Sequence, residues 1–216
     1  MSSLKVLYED NHLIAVFKPA GVLSQGDETG DVSLLDEVKT YLKETYKKPG
    51  NVFLGLLHRL DRPACGVVLF AKTSKGAARL SEQFRNHTIG KTYQVMVCGK
   101  PKQQSGTLVN HLIKDEKLKK ARHNSAPGSG AVEVKLFYEV IKSNGKHSLL
   151  KVRIEGGKFH QIRSQLSIAG FPILGDVKYK GEKWENDKAI ALCATQLSFI
   201  PATANEAVKV TAEVPS

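Results

Sequence analysis

The segment His58-Arg59-Leu60-Asp61-Arg62-Pro63-Ala64-Cys65-Gly66 sets one carboxylate, that of Asp61, between two arginines. Apolar runs at 52–57 and 66–71 flank it, and each is continuous enough to predict a strand that is buried on two faces. An ionised aspartate between such strands needs hydrogen bonds or a cation, because an unpartnered buried charge is costly. The segment alone leaves two interpretations of Asp61 open: a structural residue satisfied by a turn and an ion pair, or a carboxylate used in catalysis.

Away from this segment, predicted strands outnumber predicted helices and come in consecutive runs. Apolar residues at helical spacing predict helices over 33–46, 74–84 and 159–168, with Ser33 and Asp36 in the positions of a capping box. The remaining predicted strands cover residues 4–8, 12–17, 93–97, 107–113, 132–141, 148–154, 190–199 and 208–214. This pattern predicts an α+β fold with a large, mainly antiparallel or mixed β-sheet that is flanked by helices.

The chain carries 32 lysines and arginines against 21 acidic residues, a formal net charge of +11. Such an excess favours a polyanionic partner, because each phosphate that is neutralised releases condensed counterions, although a basic protein without such a partner is equally compatible with it. A concentrated basic stretch covers 114–124 and is followed by the flexible residues 125–130. It is interpreted either as solvated surface or as a mobile basic loop between two strands that closes on a phosphate backbone.

The three cysteines, Cys65, Cys98 and Cys193, are scattered, and each lies in or beside an apolar run. Without a CxxC pair or a Cys/His ligand spacing, neither a disulfide framework nor a zinc site is predicted, and buried reduced thiols are expected. Residues 1–5 have no apolar signal core, and no apolar run is long enough to span a bilayer. These features together predict a cytoplasmic protein.

Six blocks of the sequence resemble, in order, the motifs of the RluA-type pseudouridine synthases. The block with Asp61 consists of His58-Arg59-Leu60-Asp61, then Gly66, then Ala71-Lys72, and resembles the family's signature. The other blocks cover residues 11–21, which end in Lys-Pro-Ala-Gly, 91–99, which begin with Lys-Thr-Tyr, 157–163, which contain His-Gln-Ile-Arg, 170–179 and 191–199. The chain departs from the family at supporting positions, with Ala64-Cys65 where Thr-Ser is usual and Lys158 where arginine is usual.

The resemblance implies a pseudouridine synthase fold with a central basic cleft. It implies one catalytic domain over residues 1–216, without the extra N-terminal RNA-binding domain of some relatives. The implied reaction breaks the N1–C1′ bond of selected uridines in structured ribosomal or transfer RNA, turns the base, and rejoins it through C5. The target nucleotide must be flipped out, because its glycosidic bond is otherwise out of reach. Nothing is oxidised and no group enters, so we expect no cofactor and no metal, with RNA as the partner of a monomer.

The same resemblance names the site residues. Asp61 is the catalytic carboxylate, Arg163 is the cation that pairs with it, and Tyr93 stacks on the uracil and helps to remove the C5 proton. The implied substrate-binding residues are Arg59, Arg62, Lys72, Lys158 and Leu197. Three alternatives stay open: Tyr93 and Leu197 as ordinary core residues, and Arg163 as an exposed residue of an amphipathic helix.

Two other classes of function compete with this one. A non-catalytic RNA-binding protein could share the fold and the charge, but the joint presence of Asp61, Tyr93 and Arg163 argues against it. A glycosidase-like hydrolase needs a second carboxylate near Asp61, and no motif marks one.

Overall fold

The computed structural model describes residues 4–126 and 129–215. Two of the residues predicted to be flexible, Pro127 and Gly128, lie outside the described residues. The chain divides into two compact units. Unit 1 contains the residues up to Lys91 and those from Ala194 onward, and unit 2 contains Thr92–Cys193.

The described residues form three α-helices and eleven strands. In chain order they are β1 (Val6–Glu9), β2 (Leu13–Lys18), α1 (Leu34–Thr45), β3 (Gly55–Leu56), β4 (Cys65–Ala71), α2 (Ser74–Arg85), β5 (Gly90–Cys98), β6 (Ser105–Asp115), β7 (Lys120–His123), β8 (Val132–Ser143), β9 (His147–Ile154), α3 (Gln161–Ile168), a 3-10 turn (Val177–Tyr179), β10 (Leu192–Phe199) and β11 (Val208–Thr211). The prediction of an α+β fold with a mainly antiparallel or mixed sheet and flanking helices is confirmed.

In unit 1, β2 and β4 form the centre of the sheet and are covered on both faces. They pair antiparallel, from Leu13 opposite Ala71 to Lys18 opposite Gly66. The side chains on one face pack against Leu80 of α2, and those on the other face pack against apolar residues of α1. Burial on both faces explains why these strands are continuously apolar in sequence.

Helix α1 begins as the sequence predicts. The Ser33 side chain accepts a hydrogen bond from the Asp36 backbone N–H, and the Asp36 carboxylate accepts one from the Ser33 N–H. This reciprocal capping box satisfies two backbone donors that the first turn of a helix leaves without partners.

In unit 2, the hydrogen-bonded strand order is β5-β9-β8-β6-β7, and every neighbouring pair is antiparallel. Helix α3 is attached to this sheet by two buried amides. Gln165 donates to the carbonyls of Leu108 and Val134, and Gln161 donates to the carbonyl of Lys135. Polar side chains therefore fix α3 on the strands, in addition to apolar packing.

Two local predictions differ from the structure. The basic stretch 114–124 is a β-hairpin and not a loop, because β6 extends to Asp115 and β7 pairs with it. The Ala121 N–H donates to the Tyr179 hydroxyl, which anchors β7. Of the strand predicted over 52–57, only Gly55–Leu56 pairs with β4, and the side chain of Phe53 is 53% exposed.

Among the described residues, no helix combines the length and the apolar character that crossing a membrane requires.

Candidate active site

The Asp61 segment forms a turn between β3 and β4 in unit 1. The Asp61 carbonyl accepts a hydrogen bond of 3.0 Å from the Ala64 N–H, which closes the turn over Pro63. The Asp61 side chain is half-buried. Asp61 is therefore neither open surface nor deep core, as a carboxylate that must meet a substrate requires.

The Lys-Pro-Ala-Gly segment, residues 18–21, is hydrogen-bonded to the Asp61 turn through the buried side chain of Lys18. The Lys18 side chain is fully buried, and its Nζ donates to three backbone carbonyls: Pro19 at 2.9 Å, Val22 at 2.7 Å and Arg62 at 3.1 Å. One ammonium thus joins two loops that are distant in sequence. The pKa of Lys18 falls from 10.5 to about 8, chiefly because burial disfavours the charged form, while Cys65 and Asp61 oppose the shift.

Further hydrogen bonds join the same two loops. The buried Ser24 hydroxyl donates to the Leu60 carbonyl at 2.8 Å and accepts from the Leu60 N–H at 3.1 Å. The Gly21 N–H donates to the Arg62 carbonyl at 2.8 Å, and Arg62 Nε donates back to the Gly21 carbonyl at 3.0 Å. The backbone on both sides of Asp61 is therefore fixed before any substrate arrives, which is the arrangement that positioned catalytic groups need.

His58 anchors the start of the turn to β4. Its Nε2 accepts the Leu69 N–H at 3.0 Å, so this nitrogen carries no proton, and its ring stacks on Phe84 with centroids 5.1 Å apart. Burial lowers the pKa of His58 to about 3, with a smaller contribution from the charge of Lys91. His58 is therefore a neutral structural residue at physiological pH.

Gly66 follows the turn at a position where the backbone leaves no room for a side chain. Its φ is +122°, and a Cβ there would collide with the backbone of Ala194 in β10. Close approach of the two strands, together with the positive φ, explains the glycine in the signature.

The structure yields a pH-dependent prediction for Lys18. Since its pKa is about 8 in the folded chain and 10.5 for an ordinary free lysine, unfolding takes up a proton between these pH values. The free energy of unfolding of the wild type should therefore rise with pH across this window, by about 3 kcal/mol relative to Lys18→Met. Urea unfolding of both proteins at pH 7.5 to 10.5, at about five values, measures the difference.

Lys43→Met, which removes an exposed lysine of α1 and keeps Lys18, is the matched control, and its free energy of unfolding should rise with pH as that of the wild type does. Parallel stability curves for the wild type and Lys18→Met would contradict the assignment of a buried ammonium.

We also expect Lys18→Met to lower turnover by about 10- to 100-fold, because the Asp61 turn loses its anchor.

In unit 2, Arg163 is buried and forms a two-pronged ion pair with Asp176. Nε lies 2.7 Å from Oδ2 and Nη2 lies 2.8 Å from Oδ1, and the two side chains are 6% and 1% exposed. The guanidinium also lies over the Tyr179 ring, 5.1 Å from its centroid. The interpretation of Arg163 as an exposed helix residue is therefore wrong. Its predicted pairing with Asp61 stays a prediction.

His160 connects Arg163 to Tyr179. Arg163 Nη1 is always a donor, so His160 Nε2, at 2.9 Å, accepts from it. The neutral imidazole then carries its proton on Nδ1, which lies 2.9 Å from the Tyr179 hydroxyl and donates to it. This chain of hydrogen bonds fixes the orientation of the guanidinium.

The remaining predicted residues lie in varied surroundings. Tyr93 in β5 is buried opposite Val152 of β9, and Leu197 packs in the apolar core of unit 1. Lys72 forms a 2.6 Å ion pair with Glu9 in which both side chains are largely buried, so a phosphate contact by Lys72 requires this pair to open. The candidates with exposed side chains are Arg59, Arg62 and Lys158, and Arg62 lies 2.6 Å from Asp31.

Asp61, Arg59 and Arg62 thus share one turn of unit 1, while Tyr93 and Arg163 belong to unit 2. Sequence reasoning missed Lys18, His58 and Asp176 as residues that support the site. All three lie inside blocks that resemble family motifs, and this was the signal that could have marked them.

The fold is that of pseudouridine synthase domains. The solved structure of human RNA pseudouridylate synthase domain containing 4 matches with a TM-score of 0.82, over 98% of this chain and 88% of that chain, at 22% identity. At this identity the likeness establishes the fold, and the predicted pseudouridine synthase fold is confirmed.

Residues 12–168 match the family described as RNA pseudouridylate synthase, and the chain belongs to this family. Ribosomal large subunit pseudouridine synthase D of Zymomonas mobilis is 30% identical over 98% of this chain and 69% of its own length. tRNA pseudouridine synthase C of Haemophilus ducreyi is 33% identical over 82% of this chain and 74% of its own length. The chain spans 58%, 63% and 50% of the lengths of three other curated relatives that it matches.

Proposed function

We propose that this chain isomerises uridines in structured ribosomal or transfer RNA to pseudouridine, with Asp61 as the catalytic carboxylate. The observation that carries the proposal is the match to the RNA pseudouridylate synthase family over residues that include the Asp61 turn. The hydrogen bonds from Lys18 and Ser24 support it, because they give Asp61 the fixed position that catalysis requires.

The reaction leaves the atomic composition of the nucleotide unchanged, although the C5 proton is released and N1 takes up another one. The N1–C1′ bond breaks, the uracil turns, a C5–C1′ bond forms, C5 loses its proton and N1 gains one. Asp61 acts at the sugar or base as a carboxylate that forms a bond, accepts a proton or balances developing positive charge. Because the atoms and electrons balance within the substrate, the proposed reaction calls for neither a cofactor nor a metal.

Arg163 and Tyr93 have proposed roles in the same reaction. The ion pair with Asp176 and the contact with His160 hold the Arg163 guanidinium in one orientation, which supports its use as a fixed cation that keeps Asp61 ionised. Tyr93 is proposed to stack on the uracil and to help remove the C5 proton after the base has turned. Its fixed place in β5 supports this role.

The basic β6–β7 hairpin supports an RNA partner. Its cationic side chains are Lys114, Lys117, Lys119, Lys120 and Arg122. Lys117 and Lys119 are exposed in the turn between the two strands, where no strand pairing restrains their side chains. We propose that this hairpin contacts phosphates, together with Arg62 and Lys158, and that Arg59 occupies the space that the flipped nucleotide leaves.

RNA affinity is expected to fall steeply with salt. Each phosphate that the protein neutralises should contribute about 0.7 to 0.9 log units of affinity per log unit of salt. The double variant Lys117→Gln/Lys119→Asn should reduce the slope by about 1 to 2 units, since it removes up to two such contacts. Asparagine is chosen because Lys119 has a φ of +46° that asparagine tolerates. Fluorescence anisotropy at several salt concentrations measures the slopes.

Lys43→Gln, which removes one positive charge on α1 and outside the hairpin, serves as the control and should leave the slope unchanged. A wild-type RNA affinity that does not vary with salt would contradict the proposal that the protein contacts RNA phosphates.

Release of tritium from RNA that carries C5-tritiated uridine tests the reaction itself. Isomerisation exchanges the C5 hydrogen with water, so the expected product is tritiated water. A protein that only binds RNA releases nothing, and a glycosidase releases labelled uracil, so either of these results would refute the proposal.

We propose that the two units work together as one catalytic domain of a cytoplasmic monomer. Cys65, Cys98 and Cys193 are buried thiols that form no disulfide, which supports a reducing compartment. Sedimentation analysis of the purified chain tests the monomeric state.

A further inference from the structure

Unit 2 contains a cluster of three side chains with metal-ligating atoms. The Cys98 thiol, a His147 ring nitrogen and a Glu182 carboxylate oxygen all lie within 4.8 Å of one another. His147 Nε2 is 3.4 Å from Glu182 Oε2. None of the three residues is among the predicted site residues, although Cys98 lies in the block 91–99 that carries Tyr93.

Two of these side chains, those of Cys98 and His147, belong to the antiparallel strand pair β5–β9. Cys98 at the end of β5 lies directly opposite His147 at the start of β9 in the antiparallel register. The Cys98 N–H donates to the Pro172 carbonyl at 2.8 Å, and the His147 N–H donates to the Asn144 side chain at 2.7 Å. The backbone of both residues is therefore fixed, as a preformed ligand pair requires.

The third side chain is that of Glu182, in the segment after the 3-10 turn, and Glu182 is hydrogen-bonded to Cys98. The Glu182 N–H donates to Cys98 Sγ at 3.5 Å, and the Glu182 carbonyl accepts from the Gly175 N–H at 2.8 Å. An N–H bond to sulfur stabilises the negative charge that a thiol acquires when it binds a metal. Glu182 is 35 positions from His147 and 84 from Cys98, which is why the sequence showed no ligand spacing.

We propose that Cys98, His147 and Glu182 bind one Zn²⁺ ion, with solvent as the fourth ligand. Thiolate, imidazole and carboxylate ligands at about 2.0–2.3 Å are the set that Zn²⁺ accepts, and the thiolate disfavours Mg²⁺ and Ca²⁺. Tetrahedral ligand atoms at these lengths lie about 3.3–3.8 Å apart, so the His147–Glu182 pair already has the required separation. Small rotations of the three side chains bring the Cys98 sulfur to the same range of distances. When the ion binds, the thiol proton passes to solvent.

The competing cation at this site is Lys146, whose Nζ lies 4.0 Å from the Glu182 carboxylate. The Lys146 side chain is 73% exposed, so it can turn into water when the ion arrives. A bound ion would then tie the β5–β9 pair to the segment that carries Glu182.

Cobalt(II) and zinc titrations of the metal-free protein test the site. We expect one Co²⁺ per chain with a thiolate-to-cobalt charge-transfer band and tetrahedral d–d absorption, both removed by one equivalent of Zn²⁺. Cys98→Ser should abolish the charge-transfer band, and Glu182→Gln should weaken Zn²⁺ binding by about 10- to 100-fold in calorimetry.

Cys193→Ala and Glu185→Gln are the matched controls and should bind both ions as the wild type does. Absence of the thiolate band in the wild type, or its persistence in Cys98→Ser, would overturn the proposal. Should Cys98→Ser fail to fold, unaltered Zn²⁺ affinity in Glu182→Gln, whose side chain is half exposed, overturns it equally.

Discussion

Asp61→Asn is expected to lower turnover by about 10⁴-fold or more while leaving RNA affinity within about 3-fold of the wild type. Asparagine has the shape of aspartate but cannot form the proposed bond, accept a proton or balance positive charge at the sugar. Removal of a negative charge does not weaken contacts to phosphates, so binding is spared. Single-turnover tritium release measures the chemical step, and fluorescence anisotropy measures affinity.

Asp31→Asn is the matched control for the loss of one negative charge near the turn. Asp31 is exposed and pairs with Arg62, and an exposed pair of this kind contributes only about 0–1 kcal/mol. We expect turnover within a few-fold of the wild type for this variant. Retained turnover in Asp61→Asn would refute the catalytic assignment.

The second large effect concerns the stability of unit 2. Arg163→Met and Asp176→Asn should each lower the free energy of unfolding by about 3–5 kcal/mol, because each removes one half of a buried, two-pronged ion pair. The double variant should lose clearly less than the sum of the two single losses, since it removes both halves of this ion pair together. Urea unfolding of the four proteins completes this cycle.

The exposed pair of Arg62 and Asp31 provides the comparison, with side chains 46% and 51% exposed. Its cycle should give a coupling energy of about 0–1 kcal/mol, because water screens exposed charges. Strictly additive losses at Arg163 and Asp176 would show that their ion pair does not stabilise the fold.

The sequence predicted those parts of the fold that depend on local patterns. The capping box of Ser33 and Asp36 forms as expected, and the continuous apolar run at 66–71 is a strand covered on both faces. The 114–124 hairpin was missed because its charges hide the strand pattern. Its second strand, β7, is hydrogen-bonded through Ala121 to the Tyr179 hydroxyl, which is 58 positions away in sequence and outside any local pattern.

In the candidate site as well, sequence motifs predicted some residues, whereas residues that depend on contacts made only in the folded chain were not predicted. The signature located the Asp61 turn, but a lysine in sequence is usually a surface residue, so Lys18 was not recognised as its anchor. The three carbonyls that Lys18 contacts converge only in the folded chain. Likewise, Asp176 lies in the loop after α3, and only the fold brings its carboxylate to Arg163.

Nucleoside analysis of unmodified ribosomal and transfer RNA after incubation with the purified chain tests the central claim most directly. We predict that each uridine lost reappears as one pseudouridine, without free uracil, and that Asp61→Asn yields none. Free uracil in place of pseudouridine, no pseudouridine in either RNA, or equal yields from the wild type and Asp61→Asn would contradict an isomerisation that depends on this carboxylate.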